Sequence, residues 1–273
     1  MRALVVVLVL AGLTGTGAAK GKRATVDLDF TQLAIGDAMR LLGDTGKVNV
    51  VVLEGADTKV EVKVKNVPWD DVLADVVAKA NLAFVREGNV FIVGSQAAID
   101  ARKAVKKTKA SGPMIQLDFV DASAKDASFI LAVASNTAFE LDGGDAVTLR
   151  LRQVQLSVAK DILALASKAT VVPAPAKRAI TRAKGACVAP TLPFMDLELF
   201  GIVGIGAKRW AILGTRTSAA EVFIVAPKDC LGVEGQKIAR ITLEHLELPG
   251  ADSPYGFNSG TILFQLHRRA NPL

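Results

Sequence analysis

Residues 26–30, with the sequence VDLDF, recur as IQLDF at residues 115–119. Apolar and polar residues alternate in both segments, which is typical of a strand with one buried face. Apolar residues at helical spacing follow each segment. They are Ala38, Met39, Leu41 and Leu42 in the first case, and Ala127, Ile130, Leu131 and Ala134 in the second. The chain is therefore expected to contain an internal repeat that opens with a strand and a helix.

Both copies continue with a second alternating strand, at residues 60–64 and 147–151, and a second amphipathic helix. We align Val72, Leu73, Val76 and Val77 of the first copy with Asp161, Ile162, Leu165 and Ala166 of the second. The first copy closes with a hairpin, residues 82–85 and 90–93, around a turn at 86–89. The second copy ends at Val171-Val172-Pro173, so its hairpin is degenerate or missing. The order β-α-β-β-α-β-β predicts a small α+β unit.

The last third of the chain has a different pattern, in which short strands alternate with glycine-containing turns. The predicted strands are Leu197–Ile205, Arg209–Leu213, Glu221–Val225, Lys237–Leu243, His245–Leu248 and Thr261–Leu266. Several short strands at this spacing indicate a compact all-β sandwich or barrel. The fold class is therefore predicted as α+β, with one or two small βαββαββ domains followed by a small all-β sandwich.

The N-terminus has the composition of a secretory signal. Met1 and Arg2 precede an apolar run at residues 3–13, and small residues follow up to Ala19. We expect residues 1–19 to be a cleavable signal peptide, with an uncleaved anchor or a buried helix as the alternative. No cysteine follows the apolar run, so a lipoprotein processing site is not expected.

Positive charge is concentrated in two predicted linkers, at residues 95–113 and 173–195. The formal charge is +6, which becomes +5 once Arg2 leaves with the signal. Such charge runs are usually solvated chain, and the alternative is attraction to a membrane, a cell wall or an acidic partner. The basic residues are Arg102, Lys103, Lys106, Lys107 and Lys109, then Lys177, Arg178, Arg182 and Lys184.

The two cysteines, Cys187 and Cys230, both lie in the last third of the chain. In an oxidising compartment such a pair forms a structural disulfide, with two independent thiols as the alternative. No residue spacing indicates a metal site, since there are only two histidines and no Cys-x-x-Cys pair. We therefore predict no metal and no cofactor.

No motif in the chain supports catalysis. The glycines at residues 201–206 have the wrong spacing for a dinucleotide site and lie in a predicted strand. His245 and His267 have no neighbouring residues that would suggest a catalytic triad. The basic residues lack interleaved aromatic residues, so nucleic-acid binding is not expected. We predict a protein that is not an enzyme.

Residues 25–94 resemble the secretin and TonB short N-terminal domain. The resemblance depends on VDLDF at 26–30, VNVVVLEG at 48–55, VEVKVKNVPWDDVL at 60–73 and the closing hairpin, with Asn66 to Leu82 as its most specific part. Residues 114–172 resemble a divergent second copy of the same domain. The family implies a periplasmic domain that heads secretins of pilus and type II secretion systems.

Residues 196–273 resemble the PilP family of type IV pilus assembly proteins. The matching segments are LFGIVG at 199–204, RWAIL at 209–213, VFIV at 222–225, LGVEGQKI at 231–238 and ITL at 241–243. The family implies a small β-sandwich that contacts the periplasmic domains of a secretin. The chain is too short to include a channel-forming region as well, so the two resemblances together imply an adaptor.

We therefore expect a non-catalytic periplasmic scaffold of a type IV pilus machine, held at the envelope by a secretin and inner-membrane pilus assembly proteins. The alternatives are the equivalent adaptor of type II secretion and a module that binds cell wall or another anionic polymer through the basic linkers. Strand edges and hydrophobic faces would form the contacts. The candidate partner-binding residues are Gly201, Ile202, Val203, Gly204, Trp210, Ala211, Ile212, Val60, Val62 and Val64.

Overall fold

The computed structural model describes residues 23–104, 109–173, 187–193, 196–215, 222–249 and 262–265. The expected signal peptide at residues 1–19 and most of the second basic linker lie outside the described residues. The chain divides into two units, residues 1–107 and 108–273, and each is treated by itself. Helices and strands are both abundant, so the predicted α+β class is confirmed.

The first unit has the element order predicted from the sequence, followed by one more helix. Its elements are β1 (Thr25–Ala34), α1 (Ile35–Gly46), β2 (Asn49–Val52), β3 (Lys59–Pro68), α2 (Trp69–Lys79), β4 (Ala83–Glu87), β5 (Val90–Gly94) and α3 (Gln96–Ala104). β1 and β3 form an antiparallel pair, and a second sheet has the order β2-β5-β4. The core lies between the two sheets and helices α1 and α2.

The second copy of the repeat opens the second unit. Its elements are β6 (Met114–Ala122), α4 (Ala124–Ser135), β7 (Glu140–Asp142), β8 (Val147–Gln155), α5 (Leu156–Ser167) and β9 (Thr170–Val172). β6 pairs with β8 as β1 pairs with β3, while β7 pairs directly with β9. Between β9 and Pro173, where this described range ends, there is no counterpart of β5. Within that range the closing hairpin is therefore missing, which is one of the two outcomes predicted from the sequence.

The backbone has the same unusual geometry at four places in each copy of the repeat. Each has four non-glycine residues in the left-handed conformation, with φ between 52° and 59°, at matching places. Two of them end helices and two lie in β-bulges, one on each strand of the pair. They are Gln32, Lys47, Asn66 and Asn81 in the first copy, and Asp121, Asn136, Gln153 and Lys168 in the second. These conformations are uncommon for residues other than glycine, so the match at four places indicates that the two copies share one backbone fold.

The remaining described elements are all strands. They are β10 (Leu197–Ile205), β11 (Lys208–Thr215), β12 (Val222–Val225), β13 (Cys230–Leu231), β14 (Gln236–Lys237), β15 (Arg240–Ile241), β16 (His245–Leu248) and β17 (Ile262–Gln265). β10 and β16 have the bounds predicted from the sequence. The predicted strand 237–243 is divided, because Ile238 bonds to Asp229 whereas Ala239 bonds to Glu247 in a different strand.

The all-β segment does not form a sheet of its own. β10 lies between β11 and β6 in a five-stranded sheet of order β12-β11-β10-β6-β8. One face of β10 to β12 packs on β15 and β16 around a shared apolar core, which gives the predicted sandwich. The segments 114–172 and 196–273, assigned to separate domains from the sequence, therefore share one sheet and one unit.

Three local expectations need correction. Part of the predicted linker 95–113 is helix α3, whose Ile99 is fully buried. In α5 the buried face includes Ala159, Ile162 and Leu163, whereas the sequence alignment placed Asp161, Leu165 and Ala166 there. The difference arises because α5 begins at Leu156, the position that corresponds to Trp69 at the start of α2. The predicted linker 173–195 also ends too late. Residues 188 and 189 are already buried in the β core, since Val188 pairs with Leu231.

Candidate protein-docking site

The predicted contact strand at residues 201–204 is in the interior of the five-stranded sheet. Both edges of β10 are paired, one with β6 and the other with β11. Ile202 and Val203 are both fully buried, and as successive strand residues they point to opposite faces of the sheet. Ile202 belongs to the β-sandwich core, and Val203 lies on the face toward α4. These residues therefore join two parts of this chain, and a partner would not reach their side chains.

Gly201 permits the close approach of β10 to β6. It lies opposite Phe119, whose side chain is fully buried. A Cβ atom at residue 201 would lie 2.3 Å from Phe119 Cδ1 and 2.9 Å from its Cε1. Gly204 differs, since a Cβ atom there would lie 3.0 Å from the Arg209 side chain, which can move. The glycines of this segment thus serve packing, as the strand interpretation predicted.

The other candidate residues also pack mainly inside the chain. Ala211 and Ile212 are buried in β11, and Trp210 is half-buried opposite Val203. In β3, Val60 and Val62 are buried against the first core, and Val64 is half-buried at its margin. Contacts to a partner would therefore depend on the backbone of an edge strand, not on these side chains.

A partly buried ion pair joins β6 to β8, close to the turn between β15 and β16. Asp118 and Arg150 are directly opposite each other, and Arg150 Nε lies 3.1 Å from Asp118 Oδ2. Arg150 also approaches Glu244, with 3.4 Å between Nη2 and Oε1. Glu244 lies in the turn between β15 and β16, so Arg150 connects the second copy of the repeat to the β-sandwich.

The same ion pair occurs in the first copy of the repeat, where it is exposed. Lys63 Nζ lies 3.2 Å from Asp29 Oδ2, and these residues occupy the places of Arg150 and Asp118. The Asp29 side chain is 68% exposed, whereas that of Asp118 is 8% exposed. Sequence reasoning missed this pair, although the repeated LDF segments and the basic residue in the facing strand could have indicated it.

Basic residues of the first predicted linker are not all solvated. Arg102, in α3, makes two bonds to Glu87, with Nε to Oε1 at 3.0 Å and Nη2 to Oε2 at 2.7 Å. Both side chains are about nine-tenths buried, so this is a structural ion pair. Lys103 pairs with Asp100 on the surface, and Lys109 is exposed. Lys106, Lys107 and the basic residues at 177–184 lie outside the described residues.

A disulfide joins Cys187 to Cys230, so the pairing expected from the sequence is confirmed. It connects the segment before β10 to β13 and is compatible with an oxidising compartment. No described helix has the length and apolar character needed to span a membrane.

Within the described ranges, no three His, Cys, Asp or Glu side chains are grouped as metal ligands. His245 Nε2 lies 2.8 Å from Oε1 of Glu247, which is two residues further along the same strand. His267 is outside the described residues. The lysine of α5, Lys160, lies 5.0 Å above the Phe139 ring and donates to Thr137 Oγ1, and burial lowers its pKa.

Neither known protein families nor curated proteins provide a match to this chain.

Proposed function

We propose that this protein is a non-catalytic scaffold of the cell envelope, which docks onto a secretin and links it to inner-membrane components of a type IV pilus machine. The proposal rests on the resemblance of residues 25–94 to the secretin short N-terminal domain and of residues 196–273 to PilP. A periplasmic location follows from the same proposal, and the Cys187–Cys230 disulfide is compatible with it.

One observation carries the proposal. The PilP-like strand β10 is paired with β6, the first strand of the second secretin-like copy. In the families that the two segments resemble, modules of these kinds contact each other between different proteins. This chain has segments that resemble both kinds of module. The pair that they form internally leaves the first copy of the repeat for a further partner.

The contacts would be made by surfaces and strand edges, where an added strand gains backbone hydrogen bonds. The basic linkers are a weaker basis for function. Arg102 is neutralised by Glu87, and Lys103 by Asp100, which reduces the charge that an anionic polymer would meet.

Affinity capture from cross-linked native envelopes tests the proposal. The tagged full chain, exported by its own N-terminus, should recover a secretin or an inner-membrane pilus component. An unrelated exported protein with the same tag is the control. Capture of neither class would contradict the proposal, and capture of a type II secretion component would assign the scaffold to that machine instead.

Salt dependence separates protein docking from polymer binding. Attraction to an anionic polymer weakens steeply as ionic strength rises, because exposed charges are screened within about 10 Å at 0.1 M salt. A packed strand interface depends on backbone hydrogen bonds and apolar burial and should survive the same wash. Loss of all captured protein in high salt would argue against strand docking.

A further inference from the structure

We propose that the outer edge of β1 is a docking site for an extended strand of a partner protein, which pairs antiparallel with β1 in the register that β10 uses on β6. The inference rests on the proposed scaffold function for the nature of the partner, an envelope protein. Its physical basis is the comparison of two copies of one fold, of which one has this edge filled.

β1 and β6 are equivalent strands. Each pairs antiparallel with the second long strand of its copy, and each pair carries two β-bulges at matching places. The ion pair between Asp29 and Lys63 repeats that between Asp118 and Arg150. The edge of β6 that β10 occupies therefore has a geometrically similar counterpart on β1.

The two edges differ in cover. β6 has β8 on one side and β10 on the other, whereas β1 has only β3 among the described residues. Ile115, Leu117 and Phe119 of β6 are at most 1% exposed. Their counterparts in β1, which are Val26, Leu28 and Phe30, are 7–8% exposed. Within the part of the chain that the structure describes, the first copy thus has the inner face of a sheet without a strand on the outer side of β1.

Backbone polar groups of β1 point toward this open side. The carbonyl of Ala24 accepts a hydrogen bond from the Trp69 N–H, which places that carbonyl on the β3 side. Successive residues of a strand alternate in direction, so the N–H groups of Thr25, Asp27 and Asp29 point away from β3. In the second copy the carbonyl of Pro113 accepts from Leu156 in the same way.

The internal example selects β1 over β3 as the acceptor. Both strands of a two-stranded pair have an outer edge, but in the second copy β10 occupies the β6 edge. Among the described residues no strand lies beyond β8, the counterpart of β3. An exposed edge of this kind is a template for pairing with another chain.

Charge favours a different protein over a second copy of this chain. If two β1 strands paired antiparallel about Leu28, Asp27 of each would lie opposite Asp29 of the other. Like charges directly opposite each other destabilise a strand pair. The second copy of the repeat has Gln116 where the first has Asp27, so the β1 edge is the more acidic of the two.

The occupant is therefore a strand with one apolar and one basic face. By the register of β10, a glycine or another small residue lies opposite Phe30, as Gly201 lies opposite Phe119. Apolar residues lie opposite Leu28 and Val26, as Val203 and Ile205 do in the second copy. Lysine or arginine opposite Asp27 and Asp29 complements their charge.

A nine-residue peptide with the sequence of β10 is the probe, carrying the changes Ile202→Lys and Gly204→Lys. Binding to the full chain is measured by fluorescence anisotropy of the labelled peptide, and its position by residue-resolved amide hydrogen exchange. The peptide should slow exchange at Asp27 and Asp29, which lie opposite residues 204 and 202 of the peptide in this register. The outward amides of β3 should be unchanged.

Two matched proline variants test the role of the edge. Asp29→Pro removes an outward N–H from β1, and Lys63→Pro removes one from the far edge of β3, and both remove the same exposed ion pair. Proline is tolerated at edge positions whose N–H faces solvent. Loss of one edge hydrogen bond together with strand distortion should weaken peptide binding about tenfold or more in Asp29→Pro. Lys63→Pro should bind as the wild type does.

Several results would overturn the inference. Amides of Asp27 and Asp29 that are already protected in the free protein would mean that another part of this chain covers the edge. Peptide protection elsewhere, or equal binding by both proline variants, would exclude the β1 edge. If a variant fails to fold, as judged by circular dichroism, the exchange pattern of the wild type still decides.

The outcome is separable from that of the proposed function. Envelope capture without peptide protection at β1 would support the scaffold and reject this docking site. Peptide protection at β1 without capture of a secretin or pilus component would support the site and reject the assigned machine.

Discussion

Replacing Gly201 by alanine should destabilise the second unit, because the new methyl group would meet Phe119. The distance of 2.3 Å from Cβ to Cδ1 requires a shift of more than 1 Å before normal contact is restored. Phe119 is fully buried, and its strand β6 is paired on both sides, with β8 and with β10. Overpacking of this kind costs about 1–3 kcal/mol of unfolding free energy.

Gly204→Ala is the matched control in the same strand. The atoms nearest to its Cβ would belong to the Arg209 side chain, at 3.0 Å. Alanine also removes some of the backbone entropy cost of glycine, about 0.5–1 kcal/mol. Gly201→Ala has the same entropic benefit. The two variants should therefore differ by about the overpacking cost alone, roughly 1–3 kcal/mol.

Urea unfolding followed by Trp210 fluorescence measures the difference. The chain has two tryptophans, so a Trp69→Phe background makes Trp210, which lies opposite Val203, the only reporter. In a unit of this size each kcal/mol lowers the Tm by about 2–4 °C. Equal stability of the two glycine variants would refute the described contact between β10 and β6.

A double-mutant cycle locates the strain. Phe119→Leu removes the ring and should itself destabilise the unit, but it should make room for a methyl group at residue 201. The combined variant Gly201→Ala with Phe119→Leu should therefore be more stable than the sum of the single effects predicts. A coupling of about 0.5–3 kcal/mol is expected for residues in contact. Simple additivity would mean that the alanine clashes elsewhere.

Arg102→Ala should destabilise the first unit by about 3–5 kcal/mol in urea unfolding, because Glu87 would remain buried without its charge partner. Adding Glu87→Gln should recover part of that loss, and no recovery would contradict a buried pair. Reducing the disulfide between Cys187 and Cys230, 43 residues apart, should lower the unfolding free energy by about 2–4 kcal/mol, measured as the Tm with and without reductant. An unchanged Tm would argue against its structural role. The folded-state pKa of Lys160 is lowered by burial, so the folding penalty of its charged form should disappear as pH rises from that pKa to 10.5. Lys160→Met should lack this alkaline gain in a pH series of unfolding experiments, and an identical pH profile would refute the assignment.

Local patterns in the sequence were sufficient to predict the repeat and most of its elements. The alternation in VDLDF and IQLDF, and the helical spacing that follows each, depend only on neighbouring residues. The first unit therefore has the predicted order from β1 to β5, and β10 has the predicted bounds. The even number of cysteines in one segment also indicated the observed disulfide.

Helix α3 shows where local patterns are insufficient. Its single fully buried residue, Ile99, produces only a weak helical periodicity, and the basic residues nearby are typical of a linker. The helix is anchored by the ion pair of Arg102 with Glu87, a residue of β4. Such a pair is visible only after the chain has folded, because the pattern of neither segment specifies the other.

The choice of strand partners was likewise decided by tertiary structure. The sequence of β10 is consistent with any sheet interior, and its pairing with β6 joins segments that are far apart along the chain. Selection depends on shape, because Gly201 admits Phe119 and Ile202 completes the core of the sandwich. The sequence by itself thus determined that this chain contains two copies of one α+β unit and a β-rich segment. Only the folded structure decided that β10 completes one copy, while in the other copy β1 has an open edge among the described residues. The reason is that strand pairing depends on contacts between distant residues.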